Sequence, residues 1–177
     1  MSHRAEDTDA PEERLVALAP RVYGFLVRLV GNRDTAEELA QETLVRALRG
    51  LATYQPEGKF RAWVFRIATN VARDWLRRRP REPALGLVVD PETPMPATVG
   101  REPAPDARLG RSETAAKVEA ALVRLSEPDR EVLLMRYYGE LEFKEIARVT
   151  GEPLGTVLAR AHRALKKLAD LVPEEQG

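Results

Sequence analysis

Hydrophobic and polar residues alternate along this chain with the spacing of amphipathic helices. Apolar residues recur every three or four positions in residues 12–30, 34–49 and 60–81, and again in a group of segments from about residue 112 onward. That spacing places them on one face of a helix, where they can form a core. Pro20 lies inside the first segment and is expected to kink or divide that helix. The pattern predicts an all-α protein.

The segment from residue 60 to residue 81, FRAWVFRIATNVARDWLRRRPR, carries two separate seams. The first is an apolar stripe suited to a core: Phe60, Val64, Ile67, Val71 and Trp75. The second combines an aromatic ring, an amide and guanidinium groups: Trp63, Arg66, Asn70, Arg73 and Arg77. Arginine neutralises phosphate, tryptophan can stack on an unpaired base, and asparagine can donate to and accept from a base edge. The second seam indicates nucleic-acid binding; the alternative is a solvated helix whose arginines only keep it soluble.

Residues 34–49 form a predicted helix with an acidic outer side. Asp34 and Glu37, three residues apart, resemble a capping box and predict the helix start. The expected buried side consists of Ala36, Leu39, Ala40, Thr43, Leu44 and Ala47, and the outer side of Asp34, Glu37, Glu38, Gln41 and Glu42. A di-iron helix would need a nearby histidine and a nuclease would need positioned partners, neither of which the sequence offers. A solvated or partner-binding surface is therefore the preferred interpretation.

The most regular pattern lies in residues 141–168, LEFKEIARVTGEPLGTVLARAHRALKKL. A short helix over 142–149, a turn at Gly151 and a longer second helix have helix-turn-helix spacing, although a generic helical hairpin can show the same pattern. The second helix is expected to bury Val157, Ala161, Ala164, Leu165 and Leu168. Its exposed side would carry Thr156, Ala159, His162, Arg163 and Lys166, flanked by Arg160 and Lys167. The spacing favours DNA binding by this helix.

Prolines divide the chain into two small helical domains. Residues 82–111 contain several prolines and few aromatic residues, which predicts an extended, flexible linker. The expected organisation is a disordered acidic segment over 1–11, a helical domain over 12–81, the linker over 82–111, a helix-turn-helix domain over 112–171 and a tail over 172–177.

Composition narrows the class of function. With 44% hydrophobic and 32% charged residues among 177, the chain resembles a soluble globular protein, and no apolar run approaches the ~20 residues of a membrane span. The acidic amino terminus does not resemble a signal peptide, so we expect a cytoplasmic protein with no membrane association. The chain lacks cysteine, and only His3 and His162 could offer imidazole. We therefore expect neither a metal site nor a cofactor.

The formal net charge is zero, but the charges are segregated along the chain. Acidic residues gather in 6–13 and 34–42, whereas basic residues gather in 59–81 and 160–167. Such separation leaves basic surfaces available to nucleic acid in a neutral protein.

Three of these runs together resemble a known family. NRDTAEELAQETLVRALRGL, FRAWVFRIATNVARDWLRRR and LSEPDREVLLMRYYGELEFKEIARVTGEPLGTVLARAHRAL, in that order, are similar to bacterial sigma factors of the extracytoplasmic function group. The resemblance covers most of residues 12–170 apart from the linker. It implies two all-α domains, sigma region 2 and sigma region 4, in a transcription initiation factor that is not itself an enzyme. Its partners would be RNA polymerase core enzyme, promoter DNA and, as a further candidate, an anti-sigma factor.

The resemblance also implies roles for particular residues. The polymerase-binding surface would consist of Asp34, Glu38, Gln41 and Glu42. Contacts to the −10 element would come from Tyr54, Lys59, Trp63, Arg66, Asn70, Arg73 and Arg77, with the loop 53–59 holding unpaired bases. Contacts to the −35 element would come from Arg136, Thr156, Arg160, His162, Arg163 and Lys166.

One position departs from the family pattern. After the Gly-Thr-Val of residues 155–157 the family usually has lysine or arginine and then serine, whereas this chain has Leu158 and Ala159. That change leaves the fold intact. It puts in doubt the phosphate and base contacts that this part of the family's helix usually makes to the −35 element. Two alternatives remain at this point: a helix-turn-helix regulator that is not a polymerase subunit, and a helical adaptor without nucleic-acid contacts. Salt-dependent DNA binding would argue against the adaptor.

Overall fold

The computed structural model describes residues 10–55, 59–78 and 116–172, and the regular structure in these ranges is helical. The predicted linker lies outside the described residues, as do the amino-terminal segment up to residue 9 and the tail from residue 173. The helices are α1 (Pro11–Val30), α2 (Arg33–Gly50), a 3₁₀ turn (Leu51–Thr53), α3 (Phe60–Arg78), α4 (116–123), α5 (Glu127–Tyr137), α6 (Phe143–Thr150) and α7 (Leu154–Leu171). The all-α prediction is confirmed.

Helix α1 runs without a break through Pro20. The expectation that this proline divides the helix is wrong, because Pro20 lies on the exposed side, where the loss of one backbone hydrogen bond is tolerated. The helix ends at Gly31, whose φ of 74° allows its amide to donate to the carbonyl of Val27. This sharp end brings α2 back against α1.

The cap of α2 differs from the one expected. Asn32 is the N-cap residue, and its side-chain oxygen accepts a hydrogen bond of 2.9 Å from the amide of Thr35. Asp34 instead lies in the first turn, where a carboxylate stabilises the helix dipole. The expected division of the helix is otherwise correct: its acidic side is exposed, and its predicted buried side is buried apart from the partly buried Leu44.

The predicted turn at Gly151 is present, and local caps set the other helix boundaries of the second half. Ser126 caps α5 by accepting from the amide of Asp129. Glu142 and Glu145 form a reciprocal capping box at the start of α6, and Gly151 ends that helix with a φ of 72°. These signals place α6 and α7 in a helix-turn-helix arrangement.

Two side-chain predictions need correction or extension. On α7, Val157, Ala161 and Ala164 are buried as expected, but Leu165 is exposed, because it lies on the outer edge of the apolar stripe. On α3, Phe65 is also fully buried, although it lies outside the predicted stripe. It does so because α3 packs against the second half of the chain as well as against α1 and α2.

One hydrophobic core extends through both halves of the described chain. Helices α1, α2 and α3 pack together, and α5, α6 and α7 pack together. The halves meet where α1 contacts α5 and α3 contacts α6. Phe25 and Phe65 pack edge to face at 5.4 Å in the first half, and a Cβ added at Gly139 would lie 3.3 Å from Phe65. The predicted helical units are thus in direct contact.

Candidate nucleic-acid interface

An aromatic cluster forms at the amino-terminal end of α3. The rings of Tyr54 and Trp63 are 4.7 Å apart, and Phe60 lies 5.4 Å from Tyr54 and 5.7 Å from Trp63. The guanidinium of Arg14 lies 4.5 Å from the centre of the Phe60 ring, which adds a cation–π contact. The cluster holds both ends of the loop that the sequence assigns to unpaired bases, of which residues 56–58 lie outside the described part of the chain.

Trp63 is half-buried in this cluster and packs against the end of α2. A Cβ added at Gly50 would lie 2.9 Å from the six-membered ring of Trp63, closer than van der Waals contact allows. The backbone of Gly50 is ordinary right-handed helix, which any residue can adopt. Glycine is therefore needed at position 50 for the close approach of Trp63 and not for its backbone conformation. Trp63 can offer an edge or part of a face to a base, but much of the ring packs against Tyr54, Phe60 and Gly50.

The other residues predicted to contact the −10 element differ in how exposed they are. Arg66 and Asn70 are exposed, as a nucleic-acid contact requires, and Arg77 is exposed while paired with Asp74. Lys59 is half-buried at the end of the loop. Arg73 is 36% exposed at its side chain and is directed toward the second half of the chain.

Arg73 makes a two-pronged ion pair with Glu131 on α5. Its Nε donates at 3.0 Å and its Nη2 at 2.6 Å to the two carboxylate oxygens. Burial raises the pKa of the Glu131 carboxyl, while the hydrogen bonds from Arg73 work against that rise. Hydrogen bonding to Glu131 raises the pKa of Arg73. The carboxylate occupies the position that a phosphate would take on this guanidinium.

The outer face of α2 is more than an acidic surface. Asp34, Glu38 and Gln41 are exposed, and the stripe continues with two exposed apolar residues, Val45 and Leu48, which are 44% and 50% exposed. Glu42 lies beside this stripe and pairs with Arg46 at 2.5 Å. The sequence prediction missed the apolar members, whose signal was their continuation of the acidic residues at steps of four and three.

In the helix-turn-helix, two of the predicted −35 residues are held by carboxylates. Arg160 donates to Glu152 at 3.1 and 2.5 Å. Arg163, which is 58% exposed, donates to Asp129 at 3.2 Å. Arg160 thus links α7 to Glu152 in the turn before it. Arg163 keeps more than half of its side-chain surface exposed to solvent.

The other predicted −35 residues are all exposed, and Arg136 among them also has partners within the chain. Thr156, His162 and Lys166 are exposed on α7. Arg136 donates to the carbonyl of Leu141 at 3.2 Å and lies 5.8 Å from the centre of the Phe143 ring. Three leucines form an exposed stripe on the same helix: Leu154, Leu158 and Leu165. The residue that departs from the family pattern therefore belongs to an apolar surface.

Neither a metal-binding cluster nor a membrane span is found in the part of the chain that the structure describes. Residues 10–55, 59–78 and 116–172 contain no group of three or more His, Cys, Asp and Glu side chains placed to hold a metal ion. None of the described helices is both long enough and apolar enough to span a bilayer.

Comparison with known proteins identifies the class of both halves. Residues 15–82 match the family model for sigma-70 region 2, and residues 115–168 match the model for sigma-70 region 4. The helix-turn-helix therefore belongs to a sigma-70 type factor, and the alternative of a regulator that is not a polymerase subunit is not favoured.

Relatives narrow the class further. The chain is 33% identical to the ECF RNA polymerase sigma factor EcfG of Rhodopseudomonas palustris, over 93% of this chain and 86% of the relative. It is 34% identical to the RNA polymerase sigma factor CarQ of Myxococcus xanthus, over 94% and 91%. The solved structure of the sigma factor RpoE with the anti-sigma factor NepR, from Bartonella quintana, matches with a TM-score of 0.69 and 25% identity, over 93% of this chain and 97% of that one. The chain belongs to the extracytoplasmic function group of RNA polymerase sigma factors.

The contact between Gly50 and Trp63 generates a prediction for stability. Gly50→Ala adds a methyl group against a rigid ring, and we expect a loss of about 1–3 kcal/mol despite the better helix propensity of alanine. In a Trp63→Ala background the obstacle is absent, so the same change should stabilise the chain by at most about 1 kcal/mol. Urea unfolding of the four variants measures the coupling. A stabilising Gly50→Ala in the otherwise unchanged chain would contradict this packing.

Proposed function

We propose that this sigma factor binds RNA polymerase core enzyme through α2, contacts and helps melt the −10 element through α3 and the loop before it, and recognises the −35 element through α7. Membership of the sigma-factor family supports separate roles for the two halves of the chain. The exposed residues on α2, α3 and α7 support the contact proposed for each helix. In this proposal the chain acts in the cytoplasm, is not itself an enzyme and carries no cofactor. The observation that carries the proposal is the exposed stripe on α2.

The stripe on α2 has the spacing of a helix-packing seam. Asp34, Glu38, Gln41, Val45 and Leu48 follow one another at steps of four and three, and all of them are exposed. Apolar residues with that spacing pack into a facing helix, while the flanking charges set its orientation and the rate of encounter. A helical, basic surface on the polymerase is the partner that fits.

Charge reversal tests this surface. The variant Glu38→Lys, Gln41→Lys and Glu42→Lys should weaken polymerase binding by at least about tenfold and make the loss smaller at high salt, because exposed charges contribute little to folding and much to encounter. Glu13→Lys with Asp170→Lys, both on exposed positions away from α2, is the control for added positive charge. Fluorescence titration with core enzyme gives the affinity. Unchanged affinity in the reversal variant would refute the assignment.

Helix α3 supplies the groups that an unpaired base needs. The aromatic cluster around Trp63 provides a stacking edge, and Asn70 lies two turns along the helix, about 10 Å away at the usual rise per residue. An extruded base must regain stacking and hydrogen bonds that it loses from the duplex. Asn70 is exposed and its amide can donate and accept, so it suits a base edge.

The change Asn70→Ala should slow promoter opening on duplex DNA by on the order of tenfold, because one set of base contacts is lost. On a template already unpaired at −10, the part of the loss that belongs to melting should disappear. Permanganate footprinting with reconstituted holoenzyme measures opening on the duplex, and the yield of initiated transcript compares the loss on the two templates. An equal loss on both would show that Asn70 does not act in melting.

Recognition of the −35 element rests on few hydrogen-bonding groups. In a helix-turn-helix the early turns of the second helix approach base edges and later basic groups contact phosphate. Here Leu158 and Ala159 can offer only apolar contact, for example to a thymine methyl. Thr156, Arg163 and Lys166 remain as exposed polar groups, and DNA shape would supply further selectivity.

We expect Arg163→Ala to weaken binding to a −35 duplex by about 1–3 kcal/mol or to lower the salt slope by about one, according to whether it contacts a base or a phosphate. Leu158→Lys should strengthen binding to matched and scrambled duplexes alike, since an added phosphate contact is indifferent to sequence. Arg124→Ala, which removes an exposed charge before α5, is the control. Binding isotherms at several salt concentrations give these quantities. Loss of binding in Leu158→Lys would show that the leucine itself packs on DNA.

A further inference from the structure

One carboxylate on α5 lies between the two arginines of α7. The Oδ1 atom of Asp129 accepts a hydrogen bond from Nη2 of Arg163 at 3.2 Å and lies 3.9 Å from Nη1 of Arg160. The backbone of Asp129 is held in turn, because its amide donates to the Ser126 hydroxyl that caps α5. Asp129 therefore has a defined position beside the surface of α7 that is proposed to contact the −35 element.

The two arginines differ in how much of the guanidinium is left for another partner. Arg160 donates from Nε and Nη2 to Glu152, at 3.1 and 2.5 Å, and its side chain is 21% exposed. Arg163 donates from Nη2 to Asp129, and its side chain is 58% exposed. A guanidinium carries five N–H donors in a planar fork, so one bond through Nη2 leaves a two-donor edge of Arg163 open.

The pair of Asp129 and Arg163 orients a side chain more than it stabilises the fold. Ion pairs whose guanidinium lies in solvent contribute little to stability, because hydration and salt compete with them. Asp129 is only 15% exposed, so the carboxylate lies inward and the guanidinium outward. A long and flexible side chain is thereby restricted in the directions in which it can point.

A carboxylate at this distance also disfavours phosphate as the second partner of Arg163. A phosphate on the open edge would lie within the width of one guanidinium from the Asp129 carboxylate, and two anions so close repel each other. The edge of a base pair is uncharged and carries no such penalty. Guanine offers two acceptors in the major groove, O6 and N7, which match a two-donor edge of arginine. Repulsion of the wrong partner thus favours a base contact.

The composition of α7 makes this choice of partner important. Leu158 and Ala159 bring no hydrogen-bonding side chain to the early turns of the helix. Lys166 is exposed, but an ammonium is a flexible point charge that suits phosphate. Thr156 has a single hydroxyl. Recognition of a base through two parallel donors on this helix therefore depends on Arg163.

We propose that Asp129 is a positioning residue that determines specificity: it holds Arg163 for a two-donor contact with a guanine of the −35 element and keeps the same arginine from phosphate. The inference rests on the proposed function of α7 and deepens it. Asp129 acts through Arg163 and does not itself touch the base. Its removal leaves more binding to DNA of any sequence and less discrimination between sequences.

Three substitutions at position 129 separate the charge of the side chain from its hydrogen bond. Asp129→Glu keeps a carboxylate, Asp129→Asn keeps an acceptor without the charge, and Asp129→Ala removes both. Glu127→Gln is the matched control, because Glu127 is an exposed carboxylate in the same first turn of α5. The control removes the same charge from the same turn and leaves the bond to Arg163 in place.

The test is selection of DNA by reconstituted holoenzyme from duplexes of promoter length and random sequence. Sequencing of the bound fraction gives the base preference at each position of the upstream element. We expect Arg163→Ala to remove a preference for guanine, which identifies the positions that Arg163 reads. At those positions Asp129→Ala should lower the preference on the order of tenfold, as expected when one long side chain must be ordered on binding.

The other variants grade this effect. Asp129→Asn should lower the guanine preference less than Asp129→Ala, whereas Asp129→Glu and Glu127→Gln should retain it. In an Arg163→Ala background, Asp129→Ala should change the preference no further, because its effect passes through the arginine. Affinity of the holoenzyme for a duplex of scrambled sequence should rise severalfold in Asp129→Asn and Asp129→Ala and less in Glu127→Gln, since the repulsion acts at Arg163.

The outcomes distinguish this inference from the proposed function. An unchanged guanine preference in Asp129→Ala, where Arg163→Ala removes it, would overturn the inference and leave the role of α7 intact. So would a loss at every position or an equal loss in Glu127→Gln, either of which indicates a general effect of folding or charge. Preference for another base at those positions would contradict the two-donor contact. An upstream motif that Arg163→Ala leaves unchanged would refute the role proposed for α7, and the inference with it.

Discussion

The structure depends on the requirement that α3 bury two faces and leave a third open. One face, with Phe60, Val64 and Val71, completes the core of region 2. A second, centred on Phe65, is covered by region 4. A third strip, which carries Arg66, Asn70 and Arg77, remains in solvent. Each face is narrow because a helix has 3.6 residues per turn, so neighbouring residues of α3 serve the core, the second half of the chain and the solvent in turn.

The sequence was sufficient to predict the helices because their signals are local. Helical periodicity, the Ser126 cap and the glycine after α6 each act within a few residues. The acidic exterior of α2 and the fold class followed for the same reason. The candidate site was predictable only as a set of residues: their assignment to polymerase, −10 and −35 contacts remains a proposal, although the exposure of Asn70 and Arg163 is in keeping with it.

Other features could not be predicted because they arise between distant segments. Arg73 fits the polar seam by its spacing, but its partner Glu131 is 58 positions away in sequence and follows a segment without periodicity. A tryptophan such as Trp63 can stack on a base, yet part of its ring packs against Gly50 and is not available for stacking. Leu165 fits an apolar stripe and is nevertheless exposed, since no described helix covers that edge of α7. Tertiary packing decides each of these cases.

Glu119, Glu131 and Glu140, in the second half of the chain, each pair with arginines of the first half: Arg21, Arg28, Arg61 and Arg73. A guanidinium stays protonated throughout the physiological range and beyond, unlike an imidazole, and it is not a substrate for lysine acetylation. The basic half of this contact therefore cannot be neutralised by a moderate rise in pH or by the commonest modification of lysine.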